Sequence, residues 1–135
     1  MNVEVRGTAF SGMGKGKYYV GLPEYQKRFE AALGYRPYPG TLNLKVEDKA
    51  IVHRLGELRS SVGTKVPGFT LDGEQFSSLV CFEGRLGDER VTLLFIDITH
   101  YNETVAELIS PTYLRGKFGI KDGDEVSFQA WDVLG

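Results

Sequence analysis

The sequence predicts a small, mainly β domain with a few short helices, closed into a mostly antiparallel barrel. Three observations carry this. The 17 glycines recur in turn-like settings such as Asp72-Gly73, Gly87-Asp88 and Asp122-Gly123, which favour short strands joined by tight turns. Several runs between those turns alternate apolar and polar residues at period two. The helical stretches are too few to cover both faces of a parallel sheet. A length of 135 residues, 41% apolar and 25% charged, suits one domain over residues 1–135, and no internal repeat or low-complexity linker divides it.

Taken in order, Val3 to Phe10 reads as a strand through the alternation of Val3 and Val5 with polar neighbours. A glycine-rich stretch follows, and Tyr18 to Gly21 reads as a second short strand. Pro23 then stands where a first helical turn tolerates proline. Tyr25, Phe29, Ala32 and Leu33 fall on one helical face, and Gly34 closes that helix. In Leu42-Asn43-Leu44-Lys45-Val46 the apolar residues face one way, with Asn43 and Lys45 facing the other. His53 belongs to a helical surface stretch. Phe69 to Leu71 and Phe76 onward form a hairpin through Asp72-Gly73, and Leu79–Leu86 pairs with Val91–Thr99 through Gly87-Asp88. From Glu103 to Phe118 we expect two short helices separated by Ser110-Pro111, the serine as cap and the proline as first residue. A last strand spans Glu125 to Val133.

Charge and composition exclude several function classes. The net charge is −2, and the 16 basic residues are interspersed with 18 acidic ones. With no basic arm or stripe, nucleic acid is not the expected partner; a small anion bound locally is. Cys81 is the single cysteine; it lies in the run Leu79-Val80-Cys81-Phe82 and reads as a small core residue in a reducing interior. Met1 to Arg6 lacks the apolar core of a signal peptide, and no run approaches membrane-spanning length. We therefore expect a soluble, cytoplasmic monomer with no membrane partner. His53 and His100 are too far apart for a zinc pattern and receive no role.

Two segments carry chemistry. In Ser11-Gly12-Met13-Gly14-Lys15-Gly16-Lys17, alternate glycines allow the backbone to approach a ligand and present N–H groups to an anion, and two lysines add charge. Neither the Walker pattern nor the dinucleotide fingerprint is met. The residues alone leave two readings, a phosphate loop or a flexible hairpin turn. In Tyr35-Arg36-Pro37-Tyr38-Pro39-Gly40-Thr41-Leu42-Asn43-Leu44, prolines stiffen a loop that delivers Thr41 and Asn43 to one face of a strand. Their hydroxyl and carboxamide oxygens are hard, neutral ligands of the kind a nucleotide-bound Mg²⁺ takes. The alternative is that they satisfy turn hydrogen bonds. Tyr18, Tyr19, Tyr35, Tyr38 and Tyr101 cluster near these loops, where an aromatic ring stacks a flat ligand or packs the rim.

The order and spacing of Gly12-Met13-Gly14-Lys15-Gly16-Lys17, Leu22-Pro23-Glu24-Tyr25, Leu33-Gly34-Tyr35 and Pro37-Tyr38-Pro39-Gly40-Thr41-Leu42-Asn43-Leu44 resemble the archaeal CTP-dependent riboflavin kinases. Ile109-Ser110-Pro111-Thr112-Tyr113-Leu114-Arg115 and Gly119-Ile120-Lys121-Asp122-Gly123-Asp124-Glu125-Val126 are similar to that family's C-terminal signature, while residues 47–90 match loosely. The resemblance implies a six-stranded cradle-loop β-barrel that transfers the γ-phosphoryl of CTP to the riboflavin 5′-hydroxyl, giving FMN and CDP. It implies that Gly12, Met13, Gly14, Lys15, Gly16 and Lys17 cradle phosphates, and that Thr41 and Asn43 hold Mg²⁺. Thr99 and Glu107 would contact the flavin, and Thr112, Tyr113, Leu114 and Arg115 would form a second nucleotide-binding segment. Glu107 is also the candidate base, against the alternative of an exposed helix carboxylate, and Asp97 is a more distant one. Ile98 departs from the basic residue common in the family before this threonine. Two other functions compete with the kinase: a non-catalytic nucleotide- or flavin-binding barrel, and a DNA-binding swapped-hairpin barrel, against which the acidic balance weighs.

Overall fold

The structure is a computed structural model that describes residues 1–96 and 103–135. Along the chain run β1 (Asn2–Phe10), α1 (Lys15–Gly21), α2 (Pro23–Leu33), β2 (Leu42–Lys45) and α3 (Lys49–Arg59). There follow β3 (Thr64–Val66), β4 (Phe69–Leu71), β5 (Glu74–Phe76), β6 (Leu79–Leu86) and β7 (Glu89–Ile96). Last come β8 (Val105–Ile109), α4 (Leu114–Phe118) and β9 (Glu125–Trp131).

Six of these strands close an antiparallel barrel in the order β6-β7-β8-β2-β1-β9, with β9 returning to β6. The closing seam is short, pairing Gly84 with Ala130 and Arg85 with Gln129. Glycine is needed there because a Cβ at Gly84 would run into the Gln129 carbonyl. A long seam joins β1 to β9, from Asn2 opposite Trp131 to Thr8 opposite Glu125. Strand β3 adds to β6 outside the ring, and β4 and β5 form a separate hairpin.

Val3, Val5, Leu44, Leu93, Leu108 and Phe128 fill the barrel interior. A second apolar cluster lies between the wall and α2, where Tyr25, Phe29 and Leu33 meet Cys81, Leu94 and Ile109. Wall strands covered on both sides have no polar face, so the Leu79–Phe82 and Leu93–Phe95 runs read as continuous apolar stretches. Buried Cys81 belongs to this packing; burial pushes its thiol up to about 12, which removes it as a nucleophile near neutral pH.

The C-terminal end of α2 is pinned by a polar network. Arg90 forks onto Glu83 through two 2.9 Å bonds and donates to the Leu33 carbonyl at 2.8 Å. Its guanidinium lies 4.6 Å from the Tyr35 ring centroid, and the Tyr35 hydroxyl is hydrogen-bonded to Thr92 at 2.6 Å. Tyr35 is thus a structural tyrosine, its phenol pushed up by burial.

Two elements correct the sequence reading. Tyr18–Gly21 is the end of helix α1, not a strand. Leu22, which precedes Pro23, is extended at φ −61° and ψ 133°; that conformation ends α1 and opens α2, as expected before proline. The stretch 105–109 is strand β8, not a helix, because its backbone pairs with β2 on one side and β7 on the other. Ser110 accordingly does not cap α4, whose N-cap is Tyr113. The Pro23–Leu33 helix, both hairpins and the other expected strands form, with the last strand ending at Trp131 rather than Val133; the 97–99 end of the second hairpin lies outside the described residues.

Candidate active site

Where β1 ends and β2 begins, the wall opens on a cavity of about 970 Å³. Register places its polar groups. Asn43 lies opposite Phe10 on one side and Glu107 on the other, on the face that Leu42 and Leu44 leave free. Thr41, two residues earlier, donates to Asn43 Oδ1 at 3.2 Å.

The glycine loop leaves β1 and lies directly on this pair. A Cβ at Gly12 would stand 2.9 Å from Asn43 Nδ2, and one at Gly16 would stand 2.5 Å from Thr41 Oγ1. The loop backbone thus rests on both side chains, and at Gly16 any Cβ would displace Thr41. Gly14, at φ 80°, turns the chain into α1, so Lys15, Gly16 and Lys17 belong to a helix rather than to a hairpin turn. Both lysines are exposed and border the cavity. Gln26 fixes the neighbouring loops by donating to the carbonyls of Val20 at 2.7 Å and Pro37 at 2.9 Å.

Glu107 extends from β8 into the cavity, half-buried, and among the described residues has no hydrogen-bond partner. Burial alone raises its carboxyl above the ordinary glutamate range. Its neighbours Ala106 and Leu108 face the barrel interior, which is why the alternation of a strand, not the face of a helix, aims Glu107 outward.

The 112–115 segment is anchored by Ser110, whose hydroxyl donates to the Arg90 carbonyl at 2.8 Å and accepts from Thr112 N at 3.2 Å. Ser110 also accepts at its carbonyl from Tyr38 N at 2.8 Å, and the Tyr38 and Tyr113 rings stack with centroids 5.0 Å apart. Tyr113 and Arg115 line the cavity, whereas the Leu114 side chain is part of the barrel core. Met13 projects into solvent at 90% exposure. Thr99, together with Asp97, Ile98, His100 and Tyr101, lies outside the described residues.

The far side of the cavity is apolar and, apart from Tyr19, was not read from the sequence. Tyr19, Tyr25, Phe29 and Leu94 contribute to it, and the β4–β5 hairpin closes it with Glu74, Gln75 and Phe76. Phe76 packs edge-on to Tyr19 and Tyr25 and stacks on Phe69. The signal for this wall was the Asp72-Gly73 turn, which marks a hairpin but not the direction it folds. His53 is 79% exposed on α3, 3.7 Å from Glu57, and far from any role in the cavity lining.

The family model CTP-dep_RFKase, described as "Domain of unknown function DUF120", matches residues 9–130. The chain belongs to this family. As a CTP-dep_RFKase member it is 39% identical over 129 residues to a protein of Archaeoglobus fulgidus named riboflavin kinase, covering 94% of this chain and 54% of that one. It is 34% identical over 130 residues to a riboflavin kinase of Pyrobaculum calidifontis, covering 96% and 61%, and 37% identical over 125 residues to one of Methanospirillum hungatei, covering 93% and 56%. The chain spans little more than half the length of these curated relatives.

Proposed function

We propose that this chain is a single riboflavin kinase domain that transfers the γ-phosphoryl of CTP to the riboflavin 5′-hydroxyl, yielding FMN and CDP. The observation that carries the reading is the glycine loop laid on Thr41 and Asn43, with Glu107 one strand away in the same cavity. The family and the relatives' names support the choice of riboflavin and CTP.

The donor set suits Mg²⁺. Thr41 and Asn43 offer two neutral oxygens two residues apart at the start of β2, and the glycines above them leave no side chain in the way. Among the described residues no cluster of three His, Cys, Asp or Glu could hold a metal by itself, so phosphates and water would complete the shell. Bound there, Mg²⁺ would neutralise charge on the phosphoryl oxygens. The chain's own part is positioning. Loop N–H groups, Lys15, Lys17 and Arg115 bind phosphates, and the apolar wall at Tyr25, Phe29 and Phe76 takes the flavin ring system. Glu107 accepts a hydrogen bond from the 5′-hydroxyl and holds its oxygen toward the phosphoryl group. Since transfer passes through a loose transition state, orientation and charge neutralisation matter more than early proton removal.

The test is turnover: purified protein, riboflavin, Mg²⁺ and each nucleoside triphosphate in turn, with FMN followed by chromatography. FMN should form fastest with CTP. No FMN with any of the four removes the kinase reading, and equal rates with all four remove the CTP assignment.

A further inference from the structure

We propose that Asp122 and Ser11 form a clasp that positions Arg115 and the start of the glycine loop for the nucleotide. The inference rests on the kinase reading of the cavity, and assigns positioning roles to two residues outside the groups placed against substrate there.

Asp122 is a fixed post. The turn that carries it, after α4, is stitched to the last residues of β1: Gly123 N donates to the Ala9 carbonyl at 2.8 Å, and Ala9 N to the Asp124 carbonyl at 2.9 Å. Within the turn, Lys121 N donates to Asp124 Oδ2 at 2.8 Å and Asp124 N to the Lys121 carbonyl at 3.0 Å. From this post the Asp122 carboxylate reaches two partners. Ser11 Oγ lies 2.7 and 3.0 Å from its two oxygens, and Arg115 Nη2 lies 2.8 Å from Oδ1. Arg115 Nη2 also donates to the Phe10 carbonyl at 3.1 Å. Two segments distant in sequence are therefore tied together here: the junction of β1 and the glycine loop, through Phe10 and Ser11, and the segment that carries Arg115 and Asp122.

A guanidinium has five N–H donors, and these contacts use only Nη2. Arg115 also lines the cavity beside the loop, so the clasp fixes the fork's direction while its remaining donors stay available to a phosphate. The hydrogen bond from Ser11 and the charge of Arg115 hold the Asp122 carboxyl below its ordinary range, so it stays ionised at neutral pH. Asp122 is 56% exposed, and an exposed ion pair contributes little to folding stability. Its effect belongs to orientation.

The experiment compares wild type with Asp122→Ala, Ser11→Ala and the double variant. It reads KM for CTP, KM for riboflavin, CDP affinity by calorimetry, and the melting temperature. Asp122→Ala should raise the CTP KM and the CDP Kd about tenfold, the scale of one charge-assisted hydrogen bond, with little change in riboflavin KM or melting. The double variant should weaken CDP binding by less than the product of the single effects, because both remove one clasp. Unchanged CDP affinity in Asp122→Ala overturns the proposal, as does an equal rise in both KM values. A wild type that binds CDP but makes no FMN sinks the kinase reading and leaves the clasp judged by CDP affinity. A wild type that binds no CDP sinks the clasp.

Discussion

Glu107 shows most clearly how one side chain's surroundings set its chemistry. Its carboxyl is raised by burial, so protonation begins above the ordinary glutamate range. If the ionised form orients the 5′-hydroxyl, kcat/KM should fall on an acid limb above that range, and Glu107→Gln should lose the limb and lower kcat about 10²-fold. A pH profile of both proteins checks this; a wild-type limb that persists in the glutamine variant assigns it elsewhere. The sign for stability is opposite: a folded-state pKa raised above the unfolded one means stability is lost as pH rises through the folded value. Glu107→Gln should therefore melt no lower than wild type at pH 8. At Thr41 and Asn43, alanine variants should raise the Mg²⁺ concentration needed for half-maximal rate about tenfold while circular dichroism stays native; retention of the wild-type Mg²⁺ requirement in both would remove the pair as ligands. Gly16→Ala, with its Cβ 2.5 Å from Thr41 Oγ1, should weaken CDP binding as read by calorimetry. The pairing of Thr41 with Asn43 was legible from a spacing of two. The strand carrying Glu107 was not, because Val105, Leu108 and Ile109 also mark a helical face, and only pairing with β2 and β7 decides between them.

Among the elements, α2 bears the clearest consequence for stability. Phe29 is fully buried and stacks on Tyr25 at 5.9 Å, so Phe29→Ala should cost about 3–5 kcal/mol in urea unfolding. A loss below about 1 kcal/mol would mean that the helix docks through other contacts. This helix was legible because its apolar spacing, N-terminal proline and closing Gly34, at φ 82°, agree. The short α1 was not: Tyr18, Tyr19 and Val20 favour strands locally, and the helix forms between Gly14 and the extended Leu22, with Val20 buried. The β4–β5 turn uses Asp72 at φ 51° and Gly73 at φ 80°, so the residues named the turn while its docking over the cavity depended on Phe69 and Phe76 meeting Tyr25.

For the whole molecule, barrel class could be inferred because short strands, tight turns and scarce helices all limit the same architecture. The order of strands around the ring could not, since alternation marks a face without naming a neighbour. Closure depends on Gly84, and Gly84→Val, driven against the Gln129 carbonyl, should cost about 2 kcal/mol or more of folding stability; an unchanged melting temperature would show that the seam yields without cost. The long β1–β9 seam has a further consequence, one of timing. During synthesis β1 emerges before the rest of this barrel, yet β9 and the turn that stitches Ala9 in place come only near residues 123–131. Such distant pairings are slow to close. Until then β1 can pair only with β2, so a ribosome-bound chain lacking β9 holds every phosphate-binding residue up to Arg115 before the barrel that positions them can close.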